Sequence, residues 1–230
     1  MPLLIFYYKF EFANFWLWFY KMHISEGILS PAVLAGSALL CAAGVSIGLK
    51  KIKSEDIPAM GILSAAFFVA SLVHIPIGPS STHLILNGML GLILGWKAFP
   101  CIIVALALQA VLFQFGGITT LGVNTLNMAL PAVICFYLFS WAIKPGIKRP
   151  LFLIATFAAG SLSVLLAGLL VGFSLYLTGE EFLPVARLIV AVHIPVMIIE
   201  GFFTTACLSF IIKVKPEMLE NFYAFNDTES

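Results

Sequence analysis

The sequence predicts an all-α protein, a polytopic bundle of about seven transmembrane helices. Of its 230 residues, 61% are hydrophobic and only 10% are charged, whereas soluble globular proteins average about 25% charged residues. The apolar residues form runs separated by polar, Pro or Gly breaks, and most runs reach the roughly 20 residues that a membrane-crossing helix needs. The seven runs are 31–49, 57–75, 84–96, 98–115, 121–143, 151–177 and 185–212.

The distribution of positive charge predicts the orientation of these spans. One alternating set of loops, with the C-terminal tail, carries Lys50, Lys51, Lys53, Lys97, Lys144, Lys148, Arg149, Lys213 and Lys215. The opposite set carries only Arg187. Because cytoplasmic loops are enriched in Lys and Arg, we expect residues 22–30 outside and the C-terminus in the cytoplasm. For the loops to alternate in this way, the short 84–96 run must cross the membrane once. The alternative is that it forms a re-entrant segment.

The domain organisation follows from these runs. Residues 22–215 are expected to form a single transmembrane domain, and residues 216–230 a cytoplasmic tail. The net charge of +1 gives no sign of a nucleic-acid partner. The four cysteines lie in apolar runs without a CxxC pair and are interpreted as buried hydrophobic residues. The sequence has no GxxxxGK[ST] signature, so an ATP-driven cycle would need separate ATPase chains.

The loop after the second run, "SLVHIPIGPSSTHLILNG" (71–88), contains two of the four histidines. Pro76 and Pro79 break the helix, and residues 80–82 can cap a short helix that begins at 84. One interpretation is a polar turn whose histidines face water. The other places His83 at the mouth of a helix that points into the bundle, close to a water-filled cavity, where an imidazole is a plausible metal ligand.

Two later stretches contain further polar residues in apolar surroundings. Residues 106–131 hold amide and hydroxyl groups that can join helices, and a Gly-Gly pair that allows close backbone approach over a pocket. In the last run, His193 and Glu200 are seven residues apart and share a helix face. Glu200 can accept hydrogen bonds between helices or serve a metal site, and His193 can orient a ligand imidazole.

The stretch "KMHISEGILSP" (21–31) precedes the first apolar run. If Met22 begins the mature chain, its α-amine, the His23 amide nitrogen and the His23 Nδ1 can chelate one metal in fused five- and six-membered rings. A further imidazole can complete a square plane, which suits Ni(II), Cu(II) or low-spin Co(II). Zn(II) prefers a tetrahedron. The alternative is an internal Met-His pair in an interfacial loop.

Four ordered motifs resemble the CbiM/NikM family: "MHISEGILSP", "PSSTHL", "LQAVLFQFGGITTLGVN" and "HIPVMIIEG". The resemblance runs from Met22 to about residue 212 and implies the substrate-binding membrane (S) component of an energy-coupling-factor (ECF) transporter for cobalt or nickel. It implies metal ligation by Met22, His23 and His83. The residues expected to surround these ligands are His74, Ser81, Thr119, Asn124, His193 and Glu200. Many relatives have a histidine where this chain has Phe115, so that position cannot ligate here.

The resemblance also implies the setting in which the protein works. We expect a multi-pass protein of a prokaryotic inner cell membrane that carries Co(II) or Ni(II) and has no cofactor. The expected partners are a transmembrane coupling subunit, cytoplasmic ATPase subunits, a small accessory membrane subunit in some systems, and membrane lipid. Alternatives are an S component for a vitamin and an intramembrane metalloenzyme, although the sequence lacks HExxH.

Residues 1–21 bear on the chelate model. Lys9 and Glu11 interrupt an aromatic-rich apolar stretch, and no small-x-small cleavage site precedes Met22. We interpret residues 1–21 as a start-site extension outside the fold, because an amide at Met22 cannot bind metal as an amine does. The residues alone do not decide between cobalt and nickel.

Overall fold

The computed structural model of the protein describes residues 23–77, 80–144 and 146–214, and the side chains in these ranges except those of 74–77 and 80–82. The described chain is almost entirely helical. Its α-helices are α1 Pro31–Lys50, α2 Ile57–Ala70, α3 Asn87–Leu94, α4 Ala98–Phe113, α5 Leu121–Phe139, α6 Arg149–Tyr176 and α7 Leu183–Val214. Two short strands, β1 His74–Ile77 and β2 Ser80–His83, pair as an antiparallel hairpin in which His74 lies opposite His83.

Within the described ranges, five helical runs are long and apolar enough to cross a membrane, which confirms a multi-pass helical bundle. They are Pro31–Lys50, Asn87–Phe113, Leu121–Ile143, Arg149–Tyr176 and Glu180–Val214. The 14-residue α2 is not among them, since about 1.5 Å per residue gives it a length near 21 Å, less than the roughly 30 Å of the hydrocarbon layer. The predicted count of seven spans and the predicted orientation remain predictions. The extension 1–21, Met22 and the tail 216–230 lie outside the described residues.

The expectation for residues 80–86 was wrong in detail. Residues 80–82 do not cap a helix at 84, because they belong to β2 and the helix begins at Asn87. The residue before it, Leu86, adopts a left-handed backbone with φ 55° and offers no side-chain cap. The backbone N–H groups of the two residues before the helix, Ile85 and Leu86, donate instead to Glu200 of α7.

The short helix α3 forms the centre of the bundle. All eight of its residues are buried, and the chain then turns at Gly95 into α4. Close contact with α5 and α6 requires glycines: a Cβ at Gly91 would lie 2.1 Å from the Ala132 carbonyl oxygen, and one at Gly88 would lie 2.6 Å from Ser163 Oγ. Its backbone therefore packs directly against its neighbours, with no room for a side chain at either position.

A buried ion pair joins the start of α2 to the junction between α3 and α4. Lys97, expected in a cytoplasmic loop, is buried, and its Nζ lies 2.7 Å from Asp56 Oδ2. The same carboxylate oxygen accepts the backbone N–H of Lys53 at 2.9 Å. Asp56 therefore holds together the start of α2 and the α3–α4 junction.

Candidate metal site

The segment after residue 22 folds back into the bundle before α1 begins. The Asn124 side chain in α5 binds the backbone of Ile24 twice: its Oδ1 accepts the Ile24 N–H at 3.2 Å, and its Nδ2 donates to the Ile24 carbonyl at 3.1 Å. Asn124 thus pairs with residue 24 as a neighbouring strand would. This clamp fixes the backbone next to His23, which is 6% exposed.

The turn at 116–120 closes over the same segment. Gly116 has φ 76°, and a Cβ there would lie 2.9 Å from Asn124 Nδ2 and 3.3 Å from His23 Cβ. The Thr119 backbone N–H donates to Glu26 Oε1 at 3.1 Å. That hydrogen bond lowers the pKa of the exposed Glu26 carboxyl. The Gly-Gly pair therefore allows the close backbone approach that the sequence analysis expected.

A chain of hydrogen bonds determines which nitrogen of His23 carries the proton. Ser71 Oγ donates to the Phe68 carbonyl at 2.6 Å, so it accepts from Gln109 Nε2 at 2.7 Å. The Gln109 amide is thereby oriented with its oxygen toward His23, whose Nε2–H donates to Oε1 at 2.9 Å. The remaining ring nitrogen, His23 Nδ1, then carries the lone pair. It is buried and has no hydrogen-bond partner among the residues that the structure describes.

Burial also keeps the His23 ring neutral. Desolvation lowers the pKa of His23 below its ordinary value, and the hydrogen bond with Gln109 offsets only part of that effect. Because a metal binds the unprotonated nitrogen, a lowered pKa leaves Nδ1 available at neutral pH. Because the folded protein disfavours the charged ring, part of its stability is lost as the pH falls below the ordinary histidine pKa of about 6.5.

His83 lies beside His23 and presents its other nitrogen. The two ring centroids are 5.7 Å apart, with an interplanar angle of 69°. His83 is 4% exposed, and its Nδ1–H donates to the Leu84 carbonyl at 2.7 Å, which leaves the lone pair on Nε2. Two imidazoles bound at neighbouring corners of a square plane, at about 2.0 Å per nitrogen, would have ring centres about 4.5 Å apart. The two rings would therefore have to approach by about 1 Å to bind one metal in that geometry.

Glu200 contacts the chain that follows His83. Its carboxylate is fully buried and accepts the backbone N–H groups of Ile85 and Leu86, the latter at 3.2 Å to each oxygen. These N–H groups belong to the two residues immediately before α3. A negative charge there also interacts favourably with the helix dipole. Of the two roles that the sequence left open for Glu200, the structure places it in helix-to-helix hydrogen bonding.

The other candidate residues are not all brought to the two histidines. His193 donates its Nδ1–H to the Ile189 carbonyl of its own helix at 2.8 Å and packs against Gly168 of α6. The Thr119 side chain is exposed. His74 and Ser81 belong to the hairpin, but their side chains are not among those described, and Met22 precedes the described residues. Of the four histidines, the structure brings together the rings of His23 and His83.

Two residues that orient His23 were not predicted from the sequence. Gln109 was interpreted only as a helix-joining amide, and Ser71 was not assigned a role. An uncharged amide in the middle of an apolar run was the available signal, because such a group is buried only where it has partners. Among the described residues, no three His, Cys, Asp or Glu side chains form a group able to hold a metal. Further donors to His23 and His83 would therefore have to come from the backbone or from residues not described.

The chain is similar to known metal transport proteins over most of its length. Residues 23–218 match the family model CbiM, described as a cobalt uptake substrate-specific transmembrane region. A putative metal transport protein of Haemophilus influenzae is 42% identical over 87% of this chain and 100% of its own length. The cobalt transport protein CbiM of Clostridium tetani is 30% identical over 87% of this chain and 88% of its own length.

Similarity to solved structures agrees with the family match. A crystal structure described as a truncated transition metal transporter has a TM-score of 0.72 and 26% identity, over 84% of this chain and 99% of that chain. The alternative of an intramembrane metalloenzyme is therefore excluded, and membrane transport of metal is supported over the vitamin alternative. The chain belongs to the CbiM family of cobalt-uptake transmembrane proteins and is a component of a metal transporter, not an enzyme.

Proposed function

We propose that this protein captures Co(II) or Ni(II) with four nitrogens: the Met22 amine, the His23 amide, His23 Nδ1 and His83 Nε2. The observation that carries the proposal is the unpartnered, buried Nδ1 of His23 beside the ring of His83. A buried polar atom without a partner is costly unless something unseen satisfies it. A metal ion would do so, and Nδ1 is the nitrogen that the chelate requires.

The geometry of the site follows from the chelate. Fused five- and six-membered rings hold three nitrogens in one plane, and His83 supplies the fourth. This arrangement favours Ni(II) or low-spin Co(II) over Zn(II). The clamp between Asn124 and Ile24 supports the proposal, because it holds the backbone of residue 24 and so limits where the His23 amide can lie.

We propose further that the protein is the substrate-capture subunit of an ECF-type importer in a prokaryotic cell membrane. The absence of a P-loop signature from the sequence supports separate ATPase chains. The family resemblance supports a transmembrane coupling subunit that joins this protein to the ATPase chains. In this arrangement residues 22–30 face the outside, where the metal arrives.

The test compares three purified forms of the protein by calorimetry with Ni(II). A chain that begins at Met22 should bind tightly, and the chain with residues 1–21 attached should bind far more weakly, because its Met22 nitrogen is an amide. The His83→Ala form of the Met22 chain should lose more than about 100-fold in affinity, since even residues around a metal ligand contribute about 10- to 100-fold.

His193→Ala is the matched control, because its ring contacts α6 and its own helix. It should retain most of the affinity. The Ni(II) complex should be diamagnetic and yellow, as square-planar amide coordination requires. Equal affinity with and without residues 1–21, or a paramagnetic octahedral spectrum at neutral pH, would contradict the chelate.

A further inference from the structure

One peptide group connects the buried carboxylate of α7 to the ring of His83. The carbonyl of Leu84 accepts from His83 Nδ1–H at 2.7 Å. The N–H of the same peptide group, which belongs to Ile85, donates to Glu200 Oε1. The two hydrogen bonds share one resonance-stabilised plane, so charge on Glu200 polarises the amide and strengthens the acceptor that His83 faces.

Glu200 is placed to keep this arrangement rigid. Both of its oxygens accept backbone N–H groups, Oε1 from Ile85 and Leu86 and Oε2 from Leu86. This pattern suits an ionised carboxylate, which can only accept. The residue is fully buried and 115 positions from Ile85 along the chain, so the contact depends on how α7 packs against α3.

We propose that Glu200 is a positioning residue for metal capture, acting on His83 through the Leu84–Ile85 peptide group. It holds His83 in the tautomer that presents Nε2 and makes that nitrogen a stronger donor. The arrangement is equivalent to a carboxylate–histidine–metal triad with a peptide group inserted between carboxylate and ring. Its effect on metal affinity rests on the proposed function, whereas its effect on the tautomer does not.

The experiment uses Glu200→Gln, which keeps the shape and one acceptor oxygen but removes the charge. Glu181→Gln, the same change at an exposed position, is the matched control. The first readout is the nitrogen-15 NMR spectrum of the His83 ring without metal. The wild-type protein and Glu181→Gln should show one tautomer with a strongly hydrogen-bonded Nδ1–H. Glu200→Gln should shift that proton upfield and populate both tautomers.

The second readout is Ni(II) affinity in the chain that begins at Met22. Glu200→Gln should bind about 10- to 100-fold more weakly than the wild-type protein, the range typical of residues that orient metal ligands. Combined with His83→Ala it should cause no additional loss, because its effect passes through that ring. An additional loss of the same size would show that Glu200 does not act on metal binding through the Leu84–Ile85 peptide group and His83.

The tautomer measurement separates this proposal from the proposed function. If His83 changes tautomer in Glu200→Gln while no form binds Ni(II), the positioning role stands and the metal site fails. An unchanged His83 spectrum in a folded Glu200→Gln protein would overturn the positioning role. If that variant does not fold, the spectrum of the wild-type protein tests the positioning role. A His83 ring protonated at Nε2 in the absence of metal would overturn that role.

Discussion

Each imidazole of the candidate site presents a particular nitrogen because a neighbouring group holds the other one. Gln109 accepts from His23 Nε2, and the Leu84 carbonyl accepts from His83 Nδ1. The two rings therefore present opposite nitrogens, Nδ1 from His23 and Nε2 from His83. Only Nδ1 of His23 can close a six-membered chelate ring with its own backbone amide, so the orientation of Gln109 has a direct chemical consequence.

Shortening Gln109 by one methylene should weaken the site. We expect Gln109→Asn to lower Ni(II) affinity by about 10- to 100-fold, because the amide can no longer reach both His23 and Ser71 and the ring is free to exchange tautomers. Calorimetry measures the affinity, and nitrogen-15 NMR of the His23 ring reports the tautomers. Gln114→Asn is the control: Gln114 is exposed, and its left-handed backbone accepts Asn well.

The element that positions His83 is the buried helix α3 with the residues before it. Its N-terminus is held by Glu200, and its faces contact α5 and α6 through glycines. Asn87, the first residue of the helix, donates to the carbonyls of Met128 and Ser163 at 3.4 and 3.3 Å. His83 is thus attached to a helix that is fixed on several sides, which limits how far its ring can move.

Adding one methyl group to α3 should disturb this arrangement. In Gly91→Ala the new Cβ meets the backbone of Ala132 at 2.1 Å, and backbone cannot move aside as a side chain can. We expect a loss of stability of about 1–3 kcal/mol or more, typical of overpacked cores, and weaker metal binding. Thermal unfolding in detergent measures the stability.

Gly61→Ala in α2 is the matched substitution, since nothing lies within 4 Å of a Cβ there. It should leave stability unchanged or raise it by up to about 1 kcal/mol, because alanine is the better helix former. If both variants unfold at the same temperature, the packing of α3 against α5 is not as tight as described.

At the scale of the whole molecule, α1 connects the two ends of the bundle. Its start is tied to the end of α6, where the Ser30 N–H donates to Thr178 Oγ1 at 3.3 Å. Its last turns pack against the α3–α4 junction, where a Cβ at Gly48 would lie 2.6 Å from the Trp96 carbonyl oxygen. The candidate metal site and Lys50 therefore lie at opposite ends of α1, about 30 Å apart for 20 residues.

The positive-inside pattern predicts which end faces the cytoplasm. In intact cells, we expect a membrane-impermeant maleimide to label Thr119→Cys, which is exposed next to the site, but not Lys50→Cys. Lys50→Cys should be labelled only after the cells are permeabilised. The parent protein is the control, because Cys41, Cys101 and Cys135 are buried and Cys207 is partly buried. The reverse labelling pattern would show that the orientation is inverted.

The sequence by itself determined the class of the protein and named the two histidines of the candidate metal site. An apolar composition with few charges can be accommodated only in a membrane, and the backbone there must be satisfied within helices. The four motifs, from "MHISEGILSP" to "HIPVMIIEG", led to the family that the comparisons confirm. His23 and His83 were named from the same motifs, and the structure places their rings side by side.

Only the tertiary structure decided how those histidines are held. Gln109, Ser71 and Glu200 contact the site from positions between 38 and 115 residues away from their partners along the chain. Neither apolar periodicity nor charge counting can indicate such pairs, because every span in this chain is apolar on nearly all sides. The pairing of residues 74–77 with 80–83 and the start of α3 at Asn87 were missed for the same reason. The contacts that hold this segment, such as those of Glu200 with the Ile85 and Leu86 N–H groups, come from a distant helix.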